Sequence, residues 1–221
     1  MAQDFLRIVK PDTRILEINS GGGDNASAIK IGYEVYRRHM SIHVTHACLA
    51  SCAQYVMVAG TSANFDPNAL AAFQNSASSI SKMLGSKGSV DLRKRYAEEA
   101  KSESNFYQHI GISRELLYRP QLELRTTCFA IGPITHDKDQ DVLWQSMYKS
   151  WTPSLAYLIA SGVRIKGFWP QTGEEYKSAF NRVFAVGAPL MLFGGDPAIL
   201  SQQEINRRMS KIGLCSSDSN P

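Results

Sequence analysis

The sequence predicts an α/β fold with a mostly parallel sheet and right-handed crossovers, followed by a C-terminal extension. Three observations carry that expectation. Short runs rich in β-formers alternate with stretches whose apolar residues recur at helical spacing. A glycine triplet and an Asp-Pro-Asn turn stand between such runs. The 221 residues, 43% of them hydrophobic, suffice for one substantial core. A single large α/β domain over residues 1–169 is therefore expected, with a helical extension over 170–221.

Taken in order, residues 14–19 (RILEIN) alternate in polarity and form the first strand. Ser20-Gly21-Gly22-Gly23 breaks it, and Asp24 or Asn25 can cap the helix that follows. Across 26–39, Ala28, Ile31 and Val35, with Ile29, Gly32 and Tyr36, make an apolar stripe on that helix. Residues 41–45 (SIHVT) read as a second strand. Residues 47–60 are small and apolar throughout, as a helix buried on most sides would be. Asp66-Pro67-Asn68 makes a turn before a third strand at 69–73 (ALAAF). The Ser- and Gly-rich stretch 76–89 reads as mobile, and a long helix spans 90–110, closed by Gly111. A short helix at 112–119, a strand at 122–131, a loop at 132–141 and a helix at 152–161 closed by Gly162 complete the domain. The extension begins after Trp169-Pro170, with a helix at 174–183 and a frayed end at 215–221.

The bulk numbers narrow the function classes. Net charge is +4 and the cations are scattered, apart from Arg37-Arg38 and Arg93-Lys94-Arg95. No basic stripe carries interleaved aromatics, so nucleic acid is not an expected partner. No run approaches the length of a membrane span, and no signal peptide is visible at the start. Of the four cysteines, Cys48 and Cys52 lie four apart, either bridged or as two buried thiols. With His46 they could begin a metal site, yet no second Cys/His cluster completes four ligands, so neither metal nor cofactor is expected.

Chemistry concentrates at the glycine triplet and at Ser51. Acyl transfer by serine needs an activated hydroxyl, N–H donors for the developing oxyanion, and a base. Glycines let a loop present N–H groups with no Cβ in the way. Ser51 stands near a helix start, where first-turn N–H groups and the helix dipole favour negative charge. The strand-end loop and the Cys52 N–H together supply two donors around one hydroxyl.

These segments resemble the ClpP/crotonase superfamily, in particular serine peptidases of the ClpP and signal-peptide-peptidase type. The family's Asn-Ser-Pro-Gly-Gly turn is similar to Asn19-Ser20-Gly21-Gly22-Gly23, and its Ala-Ser-x-(Gly/Ala)-Ala helix to Ala50-Ser51-Cys52-Ala53. Its aliphatic run ending in Ala-Gly matches 55–60, and its Pro-Asn-Ala matches Pro67-Asn68-Ala69. Residues 92–117 resemble its handle helix and the segment after it, and 154–163 its closing helix. The likeness covers about 14–118 well and 150–166 loosely. It implies repeated β-β-α and βα units with a mostly parallel sheet. Ser51 takes the nucleophile's place, and Gly22 or Gly23 with the Cys52 N–H would form the oxyanion hole. It also implies peptide or protein substrates, a homo-oligomeric ring assembled through the handle helix, and a periplasmic or otherwise extracytoplasmic setting, with cytoplasmic as the alternative. The family's first strand should precede Arg14 and is missing, as in a trimmed chain.

The sequence departs from the family at the base. The catalytic histidine should end the third strand, where Gln74 stands. Glutamine cannot accept a proton near pH 7 as imidazole does. The family's aspartate should lie shortly before Trp151, where 147–150 holds no carboxylate; Asp137, Asp139 and Asp141 lie upstream. The signal-peptide-peptidase branch uses a lysine base, which makes Lys82, Lys87 and Lys94 candidates, together with His136 beside Asp137. His46 reads as structural, and His39, His43 and His109 as surface residues. Two readings follow. One is a serine peptidase working through a Ser51 acyl-enzyme. The other is a pseudo-protease, silenced at Gln74, that binds peptides or partners. Acyl-CoA chemistry of the crotonase branch is a third, without recognisable CoA-binding segments.

Overall fold

The computed structural model describes residues 2–74, 76–84, 89–117, 128–131, 142–145, 150–184 and 191–194. Helix α1 (Ala2–Ile8) comes first, where the family likeness calls for a strand. Then β1 (Ile15–Ser20), α2 (Asn25–Arg37), β2 (Ser41–Leu49) and β3 (Ala63–Phe65) follow. A π-helical segment at Cys52–Met57 separates β2 from β3. Next come β4 (Leu70–Ala72), α3 (Ala77–Leu84) and α4 (Val90–Ile110). A 3₁₀ turn (Arg114–Leu117), an antiparallel pair β5 (Cys128–Ile131) and β6 (Val142–Gln145), and β7 (Ser150–Thr152) come after it. The described chain closes with α5 (Leu155–Ala160), β8 (Ile165–Gly167), α6 (Gly173–Val183) and β9 (Met191–Phe193).

The main sheet runs β1-β2-β3-β8, all parallel, as the alternation of strand and helix predicts. Strand β2 is nine residues long, against the five expected, and pairs with three strands of the one sheet. Its first half lies between β1 and β3; its second half, Ala47 to Leu49, pairs with β4. The change of partner follows a register shift between Ile18 and Ser20 of β1. Beyond β4, Phe73 bridges antiparallel to Trp151 of β7, and β7 pairs parallel with β9. The segment after 170 thus adds a strand as well as a helix.

The core lies between the sheet and α2, the π-helical segment and α4. Val35, Met40, Ile42, Val44, Phe106 and Tyr107 are fully buried there. Gly32 permits the close packing of α2: a Cβ there would sit 2.7 Å from the Phe106 ring and collide with the Tyr55 carbonyl. The buried face of α4 carries Tyr96, Glu103, Phe106, Tyr107 and Ile110 and packs on α2 and α3. No helix among the described residues is long and apolar enough to cross a membrane.

Several expected elements are revised. The single helix expected over 47–60 is strand to Leu49 and then π-helical from Cys52, because β4 supplies hydrogen-bond partners for the strand's end. The stretch 76–89, expected to be mobile, contains α3. Composition misleads here because the serines are consumed by hydrogen bonds. Ser76 Oγ accepts the Ser79 N–H at 3.1 Å, and the Ser76 and Ser79 hydroxyls both donate to the Leu117 carbonyl. In the described part of the helix expected at 112–119, Arg114–Leu117 form a 3₁₀ turn, and the helix expected at 152–161 splits into the end of β7 and α5, whose cap is Ser154. The expected loop at 132–141 and frayed end at 215–221 lie outside the described residues.

Candidate functional site

Strand β1 ends in the glycine turn, and that turn folds against the start of the Ser51 segment. Gly22 has φ +97°, a left-handed value that glycine adopts at low cost. A Cβ at Gly22 would lie 2.8 Å from the Leu49 carbonyl oxygen and 2.9 Å from Ala50 Cβ. Only a glycine lets the two loops approach this closely. Across the contact, Ala50 itself is left-handed, φ +50°, which is uncommon outside glycine and turns the chain sharply from β2 into the helix. Ser51 follows at the apex of that turn.

Around Ser51 the geometry is as follows. Its hydroxyl donates to the Gly23 carbonyl at 3.1 Å, and the residue is 2% exposed. A cavity of about 220 Å³ is bordered by Ser51, Cys52, Gly22 and Gly23 together with Asn19 and Ser20. The Gly22 N–H is committed to Ser20 Oγ at 3.2 Å, which leaves Gly23 as the loop's candidate oxyanion donor. Cys52 opens the π-helical segment, so its N–H has no intrahelical carbonyl to meet. Asp24 caps α2 by accepting the Ser27 N–H at 2.7 Å, and that bond holds its carboxyl below the usual range. Sequence position alone brings none of these together; the β1–β2 register does.

A disulfide joins Cys48 to Cys52, across four positions of sequence. It ties the end of β2 to the first residue after Ser51 and so brackets the turn. Closing so small a loop contributes about 2 kcal/mol by the chain-entropy estimate. Replacing both cysteines by alanine is expected to lower the unfolding free energy by about that amount. The urea midpoint of the double variant, compared with the parent under non-reducing conditions, measures it.

Gln74 stands just past β4. The Ala50 N–H donates to the Ala72 carbonyl at 2.8 Å, so β4 runs alongside the turn and Gln74 lies two residues beyond. Its backbone carbonyl accepts the side-chain amide of Gln54, three residues after Ser51. Among the described residues, no hydrogen bond joins Gln74 to Ser51. Phe73 and Trp151 exchange two backbone hydrogen bonds, at 2.7 and 2.8 Å, so antiparallel register sets Ser150 opposite Gln74. Ser150 is buried, and a serine thus occupies the side of the site where the family likeness calls for an aspartate.

The remaining candidates are spread out. Lys94 is exposed on α4, which removes the desolvation a lysine base needs. Lys82 falls on α3, while Lys87, His136 and the three upstream aspartates lie outside the described residues. His46 is half-buried on β2. His43, expected as a plain surface residue, faces Asp66 Oδ1 at 2.9 Å from Nε2, with Glu17 at 4.0 Å from Nδ1. Among the described residues, no three His, Cys, Asp or Glu side chains come together as a metal site.

Sequence reasoning passed over a buried network behind Ser51. Tyr107 donates its hydroxyl to the Gln54 carbonyl at 2.7 Å, and Tyr55 donates to the Glu103 carboxylate. Glu103 also accepts the Ala77 N–H at 2.8 Å and the Ser78 N–H at 2.6 Å, at the amino end of α3. Burial pushes its carboxyl above the ordinary range. The signal was present: Glu103 lies seven residues after Tyr96 and three before Phe106, on the apolar face of α4. Comparison with family models, with curated proteins and with solved structures finds no match to this chain.

Proposed function

We propose that the chain is a ClpP-like serine hydrolase of the peptidase kind, in which Ser51 forms an acyl-enzyme. One observation carries the reading: Ser51, Gly23 and Cys52 border one cavity, beside a left-handed Ala50 and a left-handed Gly22. A carbonyl carbon attacked by the Ser51 hydroxyl would direct its developing oxyanion to the Gly23 and Cys52 N–H groups. A base must take the hydroxyl proton, which is bonded to the Gly23 carbonyl. Lys82 on α3 or Lys87 just after it is the proposed base, as in the lysine-using branch of the family.

The Cys48–Cys52 disulfide supports a periplasmic or other extracytoplasmic setting, because such bonds persist where the surroundings are oxidising. A homo-oligomer built through α4 is proposed from the family likeness and is checked by light scattering.

A second reading has its own support. Gln74 and Ser150 are both neutral, and the hydroxyl donates to a carbonyl. On that reading the cavity binds a peptide without cleaving it. Incubation with a fluorophosphonate probe decides between the two. The hydrolase reading expects labelling that disappears in Ser51→Ala and falls at least a hundredfold in either Lys82→Ala or Lys87→Ala. No Ser51-dependent labelling at any pH the fold tolerates leaves only the binding module.

A further inference from the structure

We propose that the Ser51 cavity takes neutral esters or amides whose acyl part is a short apolar chain or side chain, and that Phe5 of α1 sets the length accepted. The proposal rests on the acyl-transfer reading and goes beyond it by naming the substrate class and the residue that limits it.

Away from the hydroxyl, the cavity wall is hydrocarbon contributed by four separate elements. Leu16 comes from β1, Ala28 and Ile31 from α2, Val56 from the π-helical segment and Phe5 from α1. At about 220 Å³ it is larger than the apolar cavity of about 150 Å³ that holds benzene. It is smaller than the pockets of roughly 300–1,000 Å³ that enclose drug-sized ligands. Scaling from benzene, the space suits roughly six to nine carbons. That is one large apolar side chain or a medium acyl chain, attached to a carbonyl at Ser51.

Charge at the border disfavours the acidic alternatives. Glu17 and Asp24 both line the cavity, and the Ser27 N–H keeps Asp24 ionised at neutral pH. A free carboxylate, or the phosphates of an acyl-CoA, would meet two like charges there. A neutral ester or amide meets none.

Among the apolar wall residues, Phe5 is the one that lies outside the sheet, α2 and the π-helical segment. Helix α1 is seven residues long and is tied down just after its end, where Arg38 Nη1 donates to the Lys10 carbonyl at 2.9 Å. Changing Phe5 therefore alters the cavity wall, and by the proposal its length, while leaving the main core, which lacks Phe5, untouched.

Calorimetry on the Ser51→Ala protein tests this without requiring turnover. The ligands are straight-chain amides from butanamide to decanamide, hexanoate, and the N-acetyl amides of alanine, leucine and phenylalanine. Affinity is expected to rise about fourfold per methylene and then level off. In Phe5→Ala the plateau moves to longer chains, and in Phe5→Trp to shorter ones. Hexanoate binds at least tenfold more weakly than hexanamide. Tight binding of acetyl-leucinamide or acetyl-phenylalaninamide assigns the acyl group to a peptide; binding of the straight-chain amides alone assigns it to a lipid-like ester. Affinity independent of chain length, or a plateau unmoved in Phe5 variants of parental melting temperature, overturns the proposal. Chain-length dependence without any Ser51 labelling of the wild type removes only the acyl-transfer step.

Discussion

Replacing Gln74 with histidine is expected, on the reading of a module silenced at that position, to raise the rate of Ser51 labelling by a fluorophosphonate roughly 10²- to 10⁴-fold at neutral pH. The reason is proton affinity. An amide side chain can accept a hydrogen bond but not a proton, whereas imidazole titrates near neutrality. Position favours the gain. Strand β4 is held beside the turn by the Ala50–Ala72 backbone hydrogen bond, and the Gln54 amide holds the Gln74 carbonyl. The backbone contacts do not depend on the side chain at 74, so the variant should keep the parental melting temperature. Since Ser150 faces position 74 and is not a carboxylate, adding Ser150→Asp should increase the rate further by orienting the imidazole. A Gln74→Ala control should label no faster than the parent. If Gln74→His also labels at the parental rate, residue 74 does not reach the hydroxyl.

Glu103→Ala is expected to lose at least about 3 kcal/mol of stability, a large part of the total for a domain of this kind. Truncation strands the Ala77 and Ser78 N–H groups and the Tyr55 hydroxyl, all in the interior. Glu103→Gln should cost less, because its carbonyl still accepts while its amide meets one N–H donor head-on. Burial raises the folded-state pKa of this carboxyl above its unfolded value. Its stabilising contribution is therefore complete below about pH 4.5 and declines as pH rises through the raised value. The stability difference between the parent and Glu103→Gln should shrink over that interval, measured by urea unfolding at a series of pH values. A constant difference would mean that Glu103 has the same affinity for protons folded and unfolded.

Much of the architecture is legible along the chain. Alternation in RILEIN marks β1, the Asp24 cap and the 3.6-residue stripe mark α2, and Gly111 closes α4 with the left-handed φ of +71° that the sequence calls for. Each of these rules acts over a few residues. The errors have the opposite character. Strand β2 continues to Leu49 because β4, some twenty residues later, pairs with it. Helix α3 looks like a loop until Leu117 and Glu103 meet its serines and its first N–H groups. Helix α1 stands where the family likeness calls for a strand that the sequence lacks, and it is tied down by Arg38 just after α2.

The candidate site divides along the same line. Glycine at 22 and a serine after small residues could be picked out as chemistry-bearing from the string of letters, because backbone freedom and hydroxyl reactivity belong to single residues. Their meeting in one cavity, the hydroxyl's bond to the Gly23 carbonyl, the Cys48–Cys52 bridge and the place of Phe5 in the cavity wall required the folded chain. Those facts depend on strand register and on contacts between residues far apart in sequence. Local preferences, which act over one turn of helix or one strand pair, carry no information about such distances.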